Sequence, residues 1–484
     1  MSARKEFVMI FNENAGPFPW AYGMKHISNL MPKKSDEIRS SAISVGFETL
    51  DRELFNPDAC YQPLAECGVK WARCQTGWSR CEKEKGHYDF AWLDSVADNL
   101  LARGIEPWFS LSYGNILYCT DAPHASCVGS VPMYYGDEAL TAWKKFVEAV
   151  VTRYSNRVRH WEIWNEPNGE WCWGNVKPNG ADYARFARLT AEVVHRVDPQ
   201  ARIIGGAVCG FDFNFIEEAL LAGLGDCCYA LSFHAYHLVP EWGCASAIAF
   251  LRRLLARHAP NVKLWQGETG CPSVMTGHHD EWLGIRNINE EIQAKWVTRR
   301  LLTDLRHGLE LSSYFHTADL MERPYVMGDG KETKPVMLGL LNGLSYTPKK
   351  AYFALRSLCA LFDQDTIKED LFIRLANTVC GDPTWTSDRD KYLTAVADSY
   401  TRKGYPLYVY YRPIDMQNES PVESSHSVHV WNEAEKKMDE PVLVDPVSGK
   451  IYSTTVMELK RNLTVIRNLP LMDYPLILTD AKAL

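Results

Sequence analysis

Short apolar runs alternate with longer amphipathic segments between about residues 41 and 320. Eight of these runs are bounded by Gly, Pro or Asn, which is the pattern of buried parallel strands. They span residues 41–49, 69–75, 105–113, 158–166, 201–209, 229–236, 262–269 and 311–319. In the segments between them, apolar residues recur at helical spacing. Eight strands that alternate with helices predict an α/β fold, namely a (β/α)8 TIM barrel.

The pattern changes after about residue 350. One more helical segment, KKAYFALRSLCALF, is followed by short strand-like runs, and turn residues recur about every 8 to 12 positions, as in a small β-sandwich. We therefore predict a barrel over 41–350 and a C-terminal sandwich over 351–484, with an N-terminal segment, 1–40, that could add a strand to the sandwich. The alternative, a doubly wound open sheet, is disfavoured because no glycine fingerprint follows an early strand.

Composition narrows the classes of partner. The chain has 484 residues and a formal net charge of −8 without a basic stripe, so we expect no nucleic-acid partner. No apolar run is long enough to cross a bilayer, so we expect no membrane partner. The N-terminal sequence lacks the apolar region of a signal peptide, and fourteen cysteines suit a reducing compartment. These features predict a cytoplasmic protein, and they leave its oligomeric state open.

Four of the cysteines recur every seven residues, at Cys60, Cys67, Cys74 and Cys81. This spacing differs from that of C-x2-4-C metal knuckles, so we predict buried or partly buried free thiols. The first predicted strand also lacks the His-x-His that a metal-dependent barrel hydrolase would need. We predict neither a metal nor any other cofactor.

Two predicted strands end in a carboxylate. Glu166 closes the fourth strand and Glu268 lies at the end of the seventh. Because the active site of such a barrel lies at the C-terminal ends of its strands, both should face one pocket. Hydrolysis of a glycoside needs a proton donor and a second carboxylate, and a separation of about 5–5.5 Å makes the second a nucleophile. The stretch WEIWNEPNGEWCWG, residues 161–174, adds indole rings of the kind that stack on sugars.

Several segments carry a resemblance to a known family. WNEP at the end of the fourth strand is a specific motif, and IWNEPN, SFHAYH and YFHTAD lie on the fourth, sixth and eighth strands. With the alternating strands, they resemble the retaining glycoside hydrolases of clan A, most closely family 39, the β-xylosidase and α-L-iduronidase family. The resemblance covers about residues 41–350 and is weaker in the sandwich.

The resemblance implies roles for individual residues. Glu166 would be the general acid/base with a raised pKa, and Glu268 the ionised nucleophile. Asn165 would bind the sugar 2-OH. Tyr236 would orient Glu268 through its hydroxyl, and Arg73 would lie beneath Glu268 and hold it anionic.

Four further residues complete the predicted substrate site. His234 and His316 would line the pocket or contact the sugar, although both could instead be satisfied core histidines. Trp171 and Trp173 would stack on sugar rings. Packing alone is the alternative for Tyr236, and a structural ion pair is the alternative for Arg73.

The sequence thus predicts a retaining exo-glycosidase that removes terminal sugars from oligosaccharides or glycosides, with a xylosidase as the first hypothesis. Long connections at about 114–136 and 270–288 favour a closed pocket and hence exo action. An endo-glycanase of the same clan would need an open groove. A catalytically inactive carbohydrate-binding barrel would be expected to lack one of the two carboxylates.

Overall fold

The computed structural model describes residues 24–174, 176–275, 288–326, 330–375, 379–380, 394–416, 426–431, 436–460 and 462–484. After a short first strand, β1 (His26–Asn29), eight parallel strands close into a barrel. They are β2 (Ile43–Gly46), β3 (Trp71–Gln75), β4 (Glu106–Leu111), β5 (His160–Ile163), β6 (Arg202–Cys209), β7 (Ala230–His234), β8 (Lys263–Thr269) and β9 (Leu311–Tyr314). Pairing of β9 with β2 completes the ring. The predicted (β/α)8 barrel is confirmed.

Helices alternate with the barrel strands along the chain. They are α1 (Tyr61–Cys67), α2 (Trp78–Cys81), α3 (Ala91–Leu101), α4 (Gly136–Tyr154), α5 (Glu170–Trp173), α6 (Gly180–Val197), α7 (Phe213–Leu221), α8 (Cys244–His258), α9 (Glu290–Arg306) and α10 (Lys350–Leu361). None of these helices is both long and apolar enough to cross a membrane.

Helix α4 illustrates why these segments are helical. Trp143, Phe146 and Val150 are buried and recur three to four residues apart, so they form one apolar face. Asp137 lies in the first turn and Arg153 in the last, where each charge is favourable to the helix dipole. The sequence pattern and the packing therefore agree on the same face.

The barrel interior is apolar at one end and polar at the other. Near the N-terminal ends of the strands, Trp108 and Trp265 meet edge to face at 5.5 Å and are buried. Toward the C-terminal ends, charged side chains replace them. The strands themselves are shorter than predicted at this end, because residues after Ile163, His234 and Tyr314 leave the ladder. Asn165, Glu166 and Tyr236, which build part of the site, lie in these released segments.

Beyond the barrel, the chain forms a hairpin and two largely antiparallel sheets. The hairpin pairs β10 (Tyr325–Val326) with β11 (Glu332–Thr333). The sheet strands are β12 (Thr366–Lys368), β13 (Ile373–Leu375), β14 (Val379–Cys380), β15 (Thr394–Arg402), β16 (Tyr405–Tyr411), β17 (His426–Trp431), β18 (Pro441–Asp445), β19 (Lys450–Ser453), β20 (Thr455–Lys460), β21 (Leu463–Leu469) and β22 (Leu476–Asp480).

The larger sheet has the order β1-β19-β18-β22-β16-β15-β12, with β14 beside β15, and the smaller sheet has the order β13-β17-β21-β20. Strand β1 pairs antiparallel with β19, so the N-terminal segment contributes an edge strand to this part of the chain.

Buried ion pairs join the barrel to the C-terminal sheets. Arg299 on α9 donates to both carboxylate oxygens of Glu241, at 2.9 and 2.7 Å, and Tyr411 on β16 donates to the same carboxylate at 2.7 Å. Lys295, one turn earlier, lies 3.0 Å from a carboxylate oxygen of Asp473. We call Lys295, Arg299, Glu241 and Asp473 the interface cluster; all four are fully buried.

Candidate active site

A pocket of about 200 Å³ opens at the C-terminal ends of the barrel strands. Six of the nine residues predicted for the site line it: Asn165, Glu166, Trp171, His234, Tyr236 and Glu268. They come from strands β5, β7 and β8 and from the segments that follow these strands. Residues more than 100 positions apart in sequence are therefore brought to one cavity by the closure of the barrel.

The backbone after β5 turns sharply to present Glu166. Trp164 has a φ of 67° and Glu166 a φ of 44°, both in the left-handed region that non-glycine residues rarely adopt. The amide of Glu166 donates to the carbonyl of Ala207 at 2.8 Å, which fixes the turn to β6. Such strained residues persist only where surrounding structure holds them, and they cluster at functional sites.

Three groups contact the carboxyl of Glu166, and one of them is the thiol of Cys209. The indole N–H of Trp171 donates to Oε2 at 2.7 Å, and Nδ1 of His234 lies 3.2 Å from Oε1. Burial raises the pKa of Glu166, while the Trp171 donor and the charge of Arg73 oppose the rise. A carboxyl group with a raised pKa is suited to donate a proton near neutral pH.

Glu268 lies on β8 with a partner on each carboxylate oxygen. Arg73 donates to Oε2 at 2.6 Å and the hydroxyl of Tyr236 donates to Oε1 at 2.8 Å. The side chain is 14% exposed, so one face of the carboxylate remains open to the pocket. Two donors that fix an anionic carboxylate leave it ready to attack an electrophilic carbon.

The two acids approach each other closely. One side-chain atom each from Glu166, His234 and Glu268 lie within 4.8 Å of one another. Burial lowers the pKa of His234 to about 4, so this imidazole is neutral near pH 7. Among the described residues, these three form the one group close enough to hold a metal ion. The same closeness is what a pair of cooperating carboxyl groups requires.

Arg73 lies beneath the pocket instead of lining it. Its side chain is fully buried, and one Glu162 oxygen accepts from Nε at 2.9 Å and from Nη2 at 2.6 Å. Nη1 contacts Glu48 at 3.1 Å as well as Glu268. We call Arg73, Glu48, Glu162 and Glu268 the catalytic cluster. The contact with Glu268 matches the predicted position beneath this residue, but Arg73 has no place against the substrate space.

Glu48 and Glu162 are absent from the sequence prediction. Glu48 follows the end of β2 by two residues, and Glu162 is buried inside β5. A carboxylate within a buried strand is rarely found without a cationic partner. That signal alone could have marked Glu162 as a partner for Arg73.

Two predicted contacts with substrate are corrected by the structure. Trp173 is fully buried and its indole donates to the hydroxyl of Tyr134 at 3.3 Å, so it packs under the site instead of stacking on a sugar. His316 is also fully buried, and its ring nitrogens contact the backbone of Glu48 and Ala318. Both residues follow a strand end, but the backbone directs their side chains inward.

Aromatic residues form part of the pocket wall. Trp171 is 38% exposed and lies beside Tyr113, Phe315 and Tyr325 in the lining. Tyr325 belongs to the β10–β11 hairpin, which was not predicted to reach the site. The guanidinium of Arg52 lies 5.4 Å from the ring of Tyr113 and 5.5 Å from that of Tyr325, which ties the hairpin to the barrel.

Comparison with known proteins confirms the predicted resemblance. The model of the family described as Glycosyl hydrolases family 39 matches residues 67–263. A beta-xylosidase of Geobacillus stearothermophilus is 29% identical over 149 residues, which cover 28% of this chain and 28% of that protein. A beta-xylosidase of Caldicellulosiruptor saccharolyticus is 27% identical over 134 residues, 25% of each chain. The matched part thus spans about a quarter of the length of these relatives.

Solved structures extend the likeness to nearly the whole chain. A family 39 glycoside hydrolase from Bacteroides cellulosilyticus WH2 superposes with a TM-score of 0.65 at 17% identity and covers 91% of this chain and 80% of that one. A monomeric beta-xylosidase from Caulobacter crescentus CB15 has a TM-score of 0.57 at 19% identity and covers 94% and 97%. At these identities the likeness shows the fold. Glu268 lies just beyond the segment matched by the family model, so its assignment depends on its place on β8.

Proposed function

We propose that this chain, whose barrel carries a segment of the family 39 glycoside hydrolases, is a retaining exo-glycosidase that removes terminal sugars from oligosaccharides or glycosides. The observation that carries the proposal is the pair Glu166 and Glu268, which face each other across one pocket. Their environments differ, since burial raises the pKa of Glu166 whereas Glu268 accepts from Arg73 and Tyr236. Two carboxyl groups in contrasting environments suit the roles of acid and nucleophile.

The first step forms a covalent intermediate. Glu268 attacks the anomeric carbon as the bond to the leaving oxygen breaks, and Glu166 gives its proton to that oxygen. In the second step Glu166 takes a proton from water, the water oxygen attacks the anomeric carbon, and Glu268 is released as a carboxylate. Two inversions restore the original configuration, and both carboxyl groups return to their starting states.

The separation of the acids favours this mechanism over single displacement. Inverting enzymes hold their carboxyl groups about 6.5–9.5 Å apart to admit a water between them. The carboxylate oxygens of Glu166 and Glu268 come within 4.8 Å. This distance joins the nearest oxygens, and it is closer to the separation of about 5–5.5 Å in retaining enzymes than to that in inverting enzymes, which supports double displacement.

Neighbouring residues would bind and orient the sugar. The side-chain oxygen of Asn165 accepts from Arg73 at 2.7 Å. The amide nitrogen of Asn165 therefore points the other way, toward Sγ of Cys172 at 3.5 Å, and Cys172 also lines the pocket. This orientation suits donation to a sugar hydroxyl. Trp171 presents a partly exposed indole at the rim, where it can contact a sugar ring and still hold Glu166.

The pocket wall supports exo action, and the named relatives give a first choice of sugar. The β10–β11 hairpin adds Tyr325 and Val326 to the pocket wall, which favours a closed end over a through groove. Most of the connection after β8 lies outside the described residues. Two relatives are named beta-xylosidases, so a terminal xylose is the first substrate to test. Thirteen cysteines in the described part of the chain are free thiols, which supports action in a reducing compartment such as the cytoplasm.

Hydrolysis of a panel of nitrophenyl glycosides, with proton NMR of the first-formed sugar, tests the proposal. We expect cleavage of at least one glycoside, starting with the β-xyloside, and an initial product with the configuration of the substrate. Glu166→Gln should lose activity more on substrates with poor leaving groups than on dinitrophenyl glycosides, because only the former need the acid. A first product of inverted configuration would overturn the double displacement. Cleavage of internal bonds in polymers, without release of terminal sugars, would replace the exo by the endo assignment.

A further inference from the structure

The catalytic cluster holds more carboxyl groups than cationic charge. Glu48, Glu162 and Glu268 all contact Arg73, and among the described residues no other Lys or Arg side chain bonds to any of the three. If all three were ionised, this buried cluster would carry a net charge of −2. Burying unpaired charge is costly, so at least one of these groups should be neutral.

The three contacts with Arg73 are unequal. Glu162 accepts from two guanidinium nitrogens, and Glu268 makes a contact of 2.6 Å and also accepts from Tyr236. Glu48 makes one contact with the guanidinium, and at 3.1 Å this contact is the longest of the set. Its Oε2, like Oε1 of Glu162, has no hydrogen-bond partner among the described residues. The side chain of Glu48 is 2% exposed, so bulk water gives little compensation. Glu48 is the carboxyl group with the least support for a negative charge.

The backbone reserves space for this carboxyl group. A Cβ atom at Gly46 would lie 2.5 Å from Oε2 of Glu48, so glycine at this position leaves the carboxyl group room in its present place. His316 donates from Nε2 to the backbone carbonyl of Glu48, and burial lowers the pKa of this imidazole to about 4, so it adds no positive charge. The site is built to hold a carboxyl group without neutralising it.

We propose that Glu48 is a positioning residue that lies beneath the nucleophile as a neutral carboxylic acid, so that the charge of Arg73 is left to Glu268 and Glu162. A neutral Glu48 accepts from Nη1 through its carbonyl oxygen and holds the guanidinium in place. An ionised Glu48 would compete with Glu268 for the same nitrogen. The catalytic part of this inference rests on the proposed function.

The electrostatic environment agrees with this geometry. Burial raises the pKa of Glu48 from its usual 4.5 to about 8, with Arg73 opposing and Glu268 adding to the rise. The titratable and charged groups that face Glu48 or its guanidinium partner come from five strands and the segments after them: Arg73, Cys74, Glu162, Tyr236, Glu268 and His316.

A pair of substitutions separates a neutral from a charged Glu48. Glu48→Ala removes the acceptor for Nη1, and we expect kcat/KM near pH 6 to fall by about tenfold or more as Arg73 loses its alignment. Glu48→Gln keeps an acceptor without a charge and should recover most of that loss. The wild-type profile should also carry a transition near pH 8 that Glu48→Gln lacks. If Glu48→Gln is as impaired as Glu48→Ala, the negative charge is required and the proposal is wrong.

Thermal unfolding gives a test that needs no substrate. The folded pKa of Glu48 is raised, so the folded protein keeps a proton that the unfolded chain releases, and stability falls as pH rises from 4.5 to about 8. The melting temperature of Glu48→Gln should therefore rise relative to wild type across this window, whether or not any glycoside is cleaved. If the difference in melting temperature between Glu48→Gln and wild type is the same at acid and at alkaline pH, Glu48 is not neutral in the folded protein and the proposal is wrong. If this difference in melting temperature grows with pH but the protein cleaves no glycoside, the neutral Glu48 stands and only the proposed glycosidase function is wrong.

Discussion

The catalytic cluster and the interface cluster are both built from buried arginines and carboxylates, yet their charges balance differently. The interface cluster pairs two cations with two carboxylates. The catalytic cluster sets three carboxyl groups around one guanidinium. Because Glu241 accepts from Arg299 and Tyr411, its pKa is lowered despite its burial, whereas the pKa of Glu48 is raised to about 8.

The difference shows how one kind of interaction serves two purposes. Where donors match acceptors, burial fixes the charges and joins the barrel to the C-terminal sheets. Where carboxyl groups outnumber cationic donors, burial raises the pKa of a carboxyl group toward neutral pH, and acid–base catalysis needs a pKa in that range. We expect substitutions in the interface cluster to change stability, and substitutions in the catalytic cluster to change stability and activity together.

Removal of the shared cation should have the largest effect. Arg73→Met leaves the carboxyl groups of Glu48, Glu162 and Glu268 without a Lys or Arg partner, and breaking a buried pair costs about 3–5 kcal/mol of unfolding free energy. It also removes a donor from Glu268, so kcat/KM should fall by about a hundredfold or more in the folded fraction. Urea denaturation and steady-state kinetics would measure both. A stable variant with activity near wild type would contradict the role of the cluster.

The matched substitution in the interface cluster should affect stability alone. Arg299→Met leaves the carboxylate of Glu241 without its cation and should lower the unfolding free energy by about 3–5 kcal/mol. In the folded protein, kcat/KM should stay within about twofold of wild type. The double variant Arg299→Met/Glu241→Gln removes the stranded charge and should recover part of the loss. A large fall in kcat/KM for folded Arg299→Met would show that the two clusters are coupled.

The two clusters should respond to pH in opposite directions. The pKa of Glu241 is lowered in the folded protein, so its stabilising contribution is complete above the usual 4.5 and is lost as pH falls through the folded value. Glu241→Gln should therefore flatten the acid side of the stability profile, whereas Glu48→Gln changes the side between 4.5 and about 8. Melting temperatures across this range would measure both. An unaltered acid side in Glu241→Gln would contradict the balanced pairing.

The smallest expected effect concerns Trp171. Its indole N–H favours the ionised form of Glu166, so Trp171→Phe should raise the pKa of Glu166 and move the alkaline limb of kcat/KM to higher pH by less than about one unit. Trp242→Phe, an exposed tryptophan outside the pocket lining, is the control and should leave the limb in place. If Trp171→Phe changes KM but leaves the alkaline limb of kcat/KM in place, Trp171 contacts the sugar and does not tune the pKa of Glu166.

The fold was largely predictable because the barrel strands follow one rule. Each is a short apolar run, and the alternation with helices is regular, so all eight were located from the pattern. Their ends were not, since residues such as Trp164 and Glu166 leave the ladder in left-handed conformations that composition does not signal. The strand β1 and the β10–β11 hairpin are too short to produce a clear period.

The site was predictable only where a motif or a strand end marked it. Glu166 follows Trp and Asn in a specific motif, and Glu268 ends a strand, so their meeting in one pocket follows from barrel closure. Whether a strand-end aromatic faces the cavity depends on the local backbone, which turns Trp173 inward and leaves Trp171 at the rim. Glu48 became visible only through its partner, because a guanidinium shared by three carboxylates is a feature of the folded chain.

The proposed mechanism depends on a covalent bond between Glu268 and the sugar. The most direct measurement is turnover of an activated nitrophenyl glycoside by Glu268→Ala with and without sodium azide. We expect the variant alone to lose at least about a thousandfold in kcat. Azide should restore turnover by entering the space left by the carboxylate, and the product should be a glycosyl azide of inverted configuration. Unimpaired hydrolysis by Glu268→Ala would contradict the account.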